Sequence, residues 1–387
     1  MKKILFVTTR NPFSKNYSGD RVRSSAIIKH LSKRNKIDLV YSDKLSNKYI
    51  SSKAFKGKSF FFRYSIFLRI FYILKQLINI KPLQLGFFYS DGIKKFVKKN
   101  NNKYDVIIFH LLRSVQYLPK NFKGKKILEM TDLYSDNYEQ TVKRISFFNP
   151  VLYLYFIEKF LVKKYEKFCF SIFDKIVLAT NKKNDNFKNI LDKKNLVSII
   201  NGCTVQKNEF KFNKKNYKIL FIGNINYLPN KIACFNFAKN ILPKINNSFP
   251  KIKFYIIGEI SLKDKLVLNT FNNVSVKGPV KNLQSVIKNS VCGIANLDIA
   301  TGIQNKILTY MSFGLPSVCS KKSLEDSFFF KKNKNLLVYD TENQLVNSII
   351  NFITNKKLAN KISNNAYSVI RKKYSWNLIL SNYEKII

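Results

Sequence analysis

The chain has 387 residues, of which 45% are hydrophobic, and this is long enough for two domains with buried cores. It carries 69 Lys and Arg against 23 Asp and Glu, a formal net charge of +46 at pH 7. The lysines are spread along the whole chain and are not clustered with arginine and glycine, which argues against a dedicated nucleic-acid-binding protein. Two explanations of the charge stay open: attraction to an anionic partner such as a membrane face, or the codon bias of an AT-rich genome.

The cysteines and the first residues bear on the cellular compartment. Five cysteines are scattered, odd in number and without the spacing of metal ligands, which favours reduced thiols in a cytosol. The opening run MKKILFVTTR is charged and then apolar, but its apolar part is too short for a signal peptide and predicts a buried strand. We therefore expect a cytoplasmic protein.

The first half of the chain alternates short apolar strands with helices. After the strand KILFVTTR come a polar loop, NPFSKNYSGDRVRSS, the helix AIIKHLSKR and a second strand, KIDLVYS. Three further strands follow, YDVIIFH, KKILEMTD and FDKIVLAT. This alternation predicts a parallel sheet with helices on both faces.

The second half begins the same alternation again at residues 217–230, YKILFIGNINYLPN. Gly223 and Gly258 follow two of its strands, at the sheet edge where open α/β sheets bind ligands. The polar run QKNEFKFNKKN marks a boundary between the halves. We predict an α/β protein of two Rossmann-like doubly wound domains that face a cleft, residues 1–205 and 206–370. Residues 371–387 form a C-terminal helix that could pack back on the first domain.

A helix is predicted within the stretch TGIQNKILTYMSFGLPSVCS, residues 301–320. Ile307, Leu308 and Met311 have the spacing of a buried helix face, and Gly314 and Pro316 supply stop signals. The residues before this helix would therefore lie at its N-terminus, where backbone amides and the helix dipole favour an anion. An ordinary capped helix start remains the alternative.

Several other residues allow two interpretations each. His110 ends the strand DVIIFH, so it could act as a base or as a hydrogen-bond donor to a ligand, or be a structural histidine. Asp132 and Asp136 lie near a strand end, where they could orient a ligand hydroxyl or be solvated loop carboxylates.

The segment of residues 63–81, RYSIFLRIFYILKQLINIK, is interrupted by Arg69 and Lys75, which argues against a membrane span. Its polar residues fall within one helical arc, and the rest is rich in Ile, Leu and Phe. This pattern suits a helix lying in a membrane interface and equally a helix packed within its own domain.

Motifs in six places resemble one known family. GIQNKILTYMSFGLPSV resembles the nucleotide-sugar-binding segment of family 4 retaining glycosyltransferases, whose fold is called GT-B. The subgroup with the greatest similarity contains bacterial sugar transferases linked to polysaccharide and exosortase gene clusters. Five more stretches match in the same order along nearly the full chain: RNPFSKNYSGDRVRSS, LEMTDLYSDNY, IGNINYLPNKIA, VKGPVKNLQSVI and YSWNLIL.

The resemblance implies transfer of a sugar from a nucleotide-sugar donor to a glycan or lipid-linked acceptor, with retention and without a metal or other cofactor. It implies that Lys306, Asn305 and His110 act in catalysis. It further implies donor binding by a set of residues of the second half, namely Gly223, Asn224, Gly258, Thr301, Gly302, Ile303, Gln304 and Thr309. On the acceptor or phosphate side it implies Gly19, Asp20, Arg21, Arg23 and Asp132.

Two departures from the family pattern concern the donor site. The family commonly has glutamates eight residues apart around the donor-site helix, where this chain has Thr301 and Thr309. The arginine–lysine pair of many members is not evident, although Lys231 could serve. We predict a glycosyltransferase, cytoplasmic and peripheral on the inner membrane face, with a catalytically weak GT-B binding or scaffold protein as the alternative. A basic nucleic-acid-binding protein is third, and no nucleic-acid partner is expected.

Overall fold

The structure is a computed structural model that describes residues 1–14, 19–42, 55–63, 67–143, 148–179, 195–298, 304–324 and 330–387. The chain divides into two compact units. Unit 1 comprises Met1–Ser14, Asp20–Ile200 and Leu380–Ile387, and unit 2 comprises Lys15–Gly19 and Asn201–Ile379. The main division therefore falls within SIINGCTV, next to the polar run at which the sequence analysis placed a boundary. The last eight residues count with unit 1.

Unit 1 is built on a parallel seven-stranded sheet with the order β3-β2-β1-β4-β5-β6-β7. The strands are β1 Lys3–Thr8, β2 Lys36–Tyr41, β3 Ser59–Phe61, β4 Val106–His110, β5 Lys125–Thr131, β6 Lys175–Leu178 and β7 Leu196–Ser198. Its helices are α1 Gly19–Leu31, α2 Arg69–Ile78, α3 Leu83–Phe87, α4 Asp91–Asn100, α5 Tyr134–Val142 and α6 Val151–Ile172. All five residues of β4 are buried, as expected for a central strand covered on both faces.

Unit 2 is built on a parallel six-stranded sheet with the order β10-β9-β8-β11-β12-β13. The strands are β8 Lys218–Ile222, β9 Lys253–Ile257, β10 Val274–Gly278, β11 Ser290–Ala295, β12 Ser317–Ser320 and β13 Leu337–Tyr339. Its helices are α7 Leu228–Asn236, α8 Leu242–Asn246, α9 Leu262–Asn269, α10 Leu283–Ile287, α11 Asn305–Ser312, α12 Glu342–Thr354 and α13 Lys356–Val369. A final helix, α14, spans Trp376–Glu384.

The two sheets share one strand order. Counted within each unit, the first six strands follow the order 3-2-1-4-5-6, which is the Rossmann arrangement. In such a sheet the direction of winding reverses between the first and fourth strands, and ligands bind outside the carboxyl ends of these two strands. The expected binding edges therefore lie beyond β1 and β4 in unit 1 and beyond β8 and β11 in unit 2.

A buried ion pair joins three parts of unit 1. The Arg23 Nε of α1 donates to Glu129 Oε1 of β5 at 2.8 Å, and both side chains are buried. The hydroxyl of Tyr383, in α14, donates to the other carboxylate oxygen of Glu129. Arg23 also donates to the carbonyl oxygen of Ile200 at 3.1 Å. A buried carboxylate is tolerated only when such donors satisfy it.

In unit 2 a buried phenol fixes α11 to the sheet. The Tyr310 hydroxyl accepts a hydrogen bond from the Ile222 amide at 2.8 Å and lies 3.2 Å from the carbonyl oxygens of Leu220 and Ile294. The ring packs closely on β11, where a Cβ at residue 293 would lie 2.4 Å from it. Gly293 is therefore required by the close approach of this helix to the sheet.

We predict that Tyr383→Phe lowers the free energy of unfolding by about 2 kcal/mol, because a buried carboxylate loses one of its donors. Urea unfolding followed by circular dichroism measures the change. The matched control is Tyr153→Phe, at an exposed position, which should change stability by less than about 0.5 kcal/mol. Equal stability of both variants would mean that Arg23 and Thr131 satisfy Glu129 without Tyr383.

Candidate functional site

The binding edge of unit 2 leaves bare backbone at two strand ends. Gly258 follows β9 with a φ of +135°, and a Cβ there would lie 1.8 Å from the carbonyl oxygen of Gly223. The Gly223 amide donates to the Ile257 carbonyl at 2.9 Å, which holds the ends of β8 and β9 together. Only glycine fits this close approach at position 258. The glycine at position 258 is thus required by the close packing of the two strand ends.

Lys306 lies at the same edge with its ammonium group buried. Its Nζ donates to Asn230 Oδ1 at 2.7 Å and sits 4.1 Å from the centre of the Phe221 ring. Asn230 Nδ2 in turn donates to the Asn224 carbonyl at 2.8 Å. Burial lowers the pKa of Lys306 to about 7. Lys306 and Asn224, identified separately in the sequence, are therefore linked through Asn230, a residue that the sequence analysis did not select.

No carboxylate pairs with Lys306 among the residues that the structure describes. The lysine is the second residue of α11, where the helix dipole adds positive potential. A buried cation at a helix N-terminus without an acidic partner favours an incoming anion such as a phosphate. This arrangement can stabilise negative charge that develops on a leaving group.

The other predicted donor-side residues have differing surroundings. Gln304 directly precedes α11, and Asn305 is the first helical residue. Thr309 Oγ1 donates to the Asn305 carbonyl at 2.9 Å, within the helix itself. Lys231 forms an ion pair with Asp264 at 2.6 Å. Thr301, Gly302 and Ile303 lie outside the described residues.

The binding edge of unit 1 carries a buried, neutral histidine. His110 ends β4, and its Nδ1 lies 2.9 Å from the hydroxyl of Thr8 at the end of β1. Burial lowers the pKa of His110 to about 3, so the ring is neutral at physiological pH. Its Nε2 atom is buried and has no hydrogen-bond partner among the residues that the structure describes. One nitrogen of the ring therefore has unused hydrogen-bonding capacity.

Arg113 is a second buried group at this edge, and the sequence analysis missed it. Its side chain is 6% exposed, and its guanidinium lies 4.0 Å from the centre of the Phe88 ring. Burial lowers its pKa to about 10, which leaves it charged, and no carboxylate bonds to it in the described part of the chain. Its position directly after the strand that ends in His110 is the signal that could have identified it.

The backbone at this edge is unusual as well. Leu111 has a φ of 68° and Thr131 a φ of 72°, at the carboxyl ends of the neighbouring strands β4 and β5. Residues other than glycine seldom adopt this conformation, and it concentrates at functional sites. The backbone strain at Leu111 thus lies between His110 and Arg113 in the chain.

The predicted acceptor-side residues separate into two groups. Asp20 pairs with Arg10 at 2.8 Å, next to the end of β1, and Asp132 directly follows β5. Gly19 and Arg21 lie in the first turn of α1. Arg23, by contrast, is engaged with the buried Glu129. Within the described residues, no group of three or more His, Cys, Asp or Glu side chains could hold a metal ion.

Comparison with known proteins identifies the fold. Residues 216–355 match the family model described as glycosyl transferases group 1. No curated protein sequence matches the chain. The chain has the GT-B fold of glycosyltransferases, as several solved structures show, and the predicted fold class is confirmed.

Three solved structures illustrate the likeness. Sucrose-phosphate synthase from Thermosynechococcus elongatus has a TM-score of 0.74 at 12% identity, over 100% of this chain and 98% of that one. Anabaena Alr3699/HepE in complex with UDP and glucose has a TM-score of 0.71 at 13% identity, over 100% and 99%. A mutant of S. aureus TarM, in complex with fondaparinux, alpha-GlcNAc-glycerol and UDP, has a TM-score of 0.68 at 14% identity, over 100% and 99%.

We predict that Lys306→Met removes a pH-dependent destabilisation of the unliganded protein. The pKa of Lys306 is about 7 when folded, against 10.5 ordinarily, so the unfolded chain binds more protons between these values and stability rises with pH across this window. The stability of the variant relative to the parent should be highest at pH 7 and below, and should fall by about 2 kcal/mol or more towards pH 10.

Thermal unfolding at a series of pH values measures this difference. Lys288→Met, at an exposed position, is the matched control and should run parallel to the parent protein at every pH. A Lys306→Met profile parallel to the parent would show that the buried ammonium keeps an ordinary pKa.

Proposed function

We propose that the chain is a retaining glycosyltransferase of the family 4 type, which moves a hexose from a nucleotide sugar to a glycan or glycolipid in surface polysaccharide biosynthesis. The observation that carries the proposal is Lys306, a buried ammonium group without a carboxylate partner among the described residues, at the start of α11. Its place beyond the carboxyl ends of β8 and β11 is where a Rossmann sheet binds a nucleotide.

Lys306 and the backbone amides at the start of α11 would hold the diphosphate. When the bond between the anomeric carbon and the diphosphate breaks, negative charge grows on the leaving oxygen. A fixed ammonium group and a helix N-terminus stabilise that charge without reorganisation. Gly223, Asn224 and Gly258 would allow the nucleotide close to the backbone. Thr309 would offer the ribose a weaker contact than a carboxylate, because its hydroxyl hydrogen is directed to Asn305.

Unit 1 would bind the acceptor. His110 has a neutral ring, and its Nε2 would accept a hydrogen bond from a sugar hydroxyl or donate one to it, according to the tautomer. Asp20, Arg21 and Asp132 lie on elements that end or begin at the same sheet edge. We assign retention from the resemblance to family 4: it requires the acceptor oxygen to bond on the face from which the diphosphate leaves.

UDP-linked hexoses are the first donors to test, because UDP occupies solved structures of the same fold. The proposal includes a reaction without a metal, at the cytoplasmic face of a membrane and with a lipid-linked acceptor. No helix among the described residues is long and apolar enough to cross a bilayer. The membrane contact that we propose is peripheral.

We predict that one nucleotide sugar, tested with UDP-, GDP- and ADP-linked hexoses in the presence of EDTA, raises the melting temperature of the protein. At a concentration about one hundred times the Kd the stabilisation should reach about 2.7 kcal/mol. Lys306→Ala should abolish the shift, whereas Lys288→Ala, at an exposed position, should leave it unchanged. A shift that needs a divalent metal would contradict the metal-independent reaction.

The affinity for that donor should also depend on pH. Because Lys306 must be protonated to pair with the diphosphate, the affinity should fall as pH rises above about 7, by up to about tenfold per pH unit. Isothermal titration at several pH values measures this slope. The absence of binding to any nucleotide sugar would favour the alternative, a GT-B protein that binds or scaffolds without catalysis.

A further inference from the structure

Helix α2 turns its apolar residues towards solvent. Among its residues, Ile78 is 81% exposed and Phe71 is 60% exposed, and none of the ten is buried. The side that faces the protein is mixed in character: the Arg69 guanidinium lies 4.3 Å from the centre of the Phe87 ring, and Tyr72, Ile73 and Gln76 are half-buried. Most apolar side chains of this helix therefore lie on its solvent side, although α2 also packs within its own unit.

Helix α6 exposes a second set of apolar side chains. Phe156 is 50% exposed, and its ring lies 5.0 Å from that of Phe160, which is exposed as well. The exposed apolar residues in and directly before this helix are Phe148, Val151, Tyr153, Leu154, Phe156, Ile157, Phe160 and Phe168. Contiguous exposure on this scale marks an interaction surface.

The two helices are fixed relative to each other within unit 1. Glu158 of α6 is buried and accepts hydrogen bonds from the backbone amides of Leu83 and Gln84, at the start of α3. On the other side α2 packs against α3, and the ring of Tyr72 lies 4.4 Å from that of Tyr89. The two exposed apolar sets thus belong to one rigid part of the unit.

A cavity of about 820 Å³ opens where the end of α2 meets α6. Ile80 and Phe168, both exposed, contribute to its wall, so the cavity adjoins the apolar residues of both helices. Its charged lining consists of five lysines and one carboxylate, namely Lys81, Lys94, Lys120, Lys126, Lys164 and Asp174.

The positive charge inside this cavity is not neutralised locally. Lys94 Nζ donates to the Gln116 carbonyl oxygen at 2.8 Å rather than to a carboxylate. Burial lowers the pKa of Lys94, and repulsion from Lys81, Lys98 and Lys120 lowers it further. An anionic group in the cavity would relieve this repulsion.

We propose that the exposed apolar residues of α2 and α6, with the lysine-lined cavity between them, form a docking surface for an anionic phospholipid membrane. The apolar side chains enter the headgroup region, and the cavity holds a lipid phosphate. Apolar area supplies part of the binding free energy, and each lysine near an anionic leaflet adds to it. A symmetric pair of copies of this chain fits the surface poorly, because an isologous contact would set like-charged cavities against each other.

The proposal rests on contacts within unit 1 and does not require sugar transfer, although it specifies the membrane association included in the proposed function. Vesicle flotation of the full chain tests it. The vesicles contain phosphatidylcholine alone or equal parts of phosphatidylcholine and phosphatidylglycerol. Melting temperature and donor binding are measured on every variant, so that loss of folding or of the donor site is recognised separately.

Two combined variants probe the surface. The apolar variant removes three exposed hydrophobic side chains and carries Phe71→Ser, Ile78→Ser and Phe156→Ser. The charge variant reverses three positive charges at the cavity and carries Lys81→Glu, Lys120→Glu and Lys164→Glu. The matched controls lie on unit 2, at exposed leucines and lysines of that unit: Leu262→Ser with Leu266→Ser, and Lys251→Glu with Lys281→Glu and Lys288→Glu.

We expect the parent chain and both control variants to float with the anionic vesicles, and each surface variant to bind at least about tenfold more weakly. Equal flotation of the parent with both vesicle types would overturn the proposal. The proposal would also be overturned if the unit 2 control with Lys251, Lys281 and Lys288 replaced lost as much vesicle binding as the cavity variant. Charge spread over the whole chain would then account for the binding. A dimer in light scattering that the apolar variant dissociates, without vesicle binding by the parent, would reassign the surface to self-association.

Discussion

The candidate donor site depends on the anchoring of one short helix by one phenol. Tyr310 follows Lys306 by four residues, so both lie on the same face of α11. Because the Tyr310 hydroxyl bonds to backbone groups of β8 and lies beside β11, the direction in which Lys306 projects is fixed. The arrangement also needs Gly293, which makes room for the ring. A buried ammonium group can be held at a sheet edge only when the helix that carries it cannot tilt away.

The buried cations of this chain differ in what neutralises them. Arg23 has a complete set of acceptors in Glu129 and a backbone carbonyl, and it stabilises the core of unit 1. Lys306 and Arg113 have no carboxylate within the described residues, and both lie beyond the strand ends where Rossmann sheets bind ligands. Folding therefore buries two positive charges without a negative partner, which is unfavourable, and an anionic ligand would supply that partner. This contrast in pairing, rather than burial alone, is what makes Lys306 and Arg113 candidates for ligand binding.

The strand alternation could be predicted from sequence because apolar runs of this length and glycine at strand ends are local signals. His110 and Lys306 could be selected as candidates because His110 ends such a strand and Lys306 lies at the start of a predicted helix that follows one. Asn230 could not, because its link to Lys306 joins residues far apart in the chain. The role of Arg23 depends on Glu129, and in the sequence Glu129 only interrupts the apolar run of a strand, which does not indicate its partner. The orientation of α2 was undetermined for a different reason: a helix packed in a domain and one at an interface have the same periodicity.

Unit 1 takes its last eight residues from the far end of the chain, and this has a consequence for biosynthesis. During translation Glu129 leaves the ribosome long before Tyr383, whose hydroxyl group donates to the Glu129 carboxylate in the finished protein. Unit 2 has all of its own chain once Ile379 has emerged, whereas unit 1 still lacks a segment at that moment. The usual order, in which the N-terminal part of a protein folds first during translation, is therefore reversed for the final step. Until Tyr383 has been synthesised, Glu129 lacks the hydroxyl group that donates to it in the finished protein.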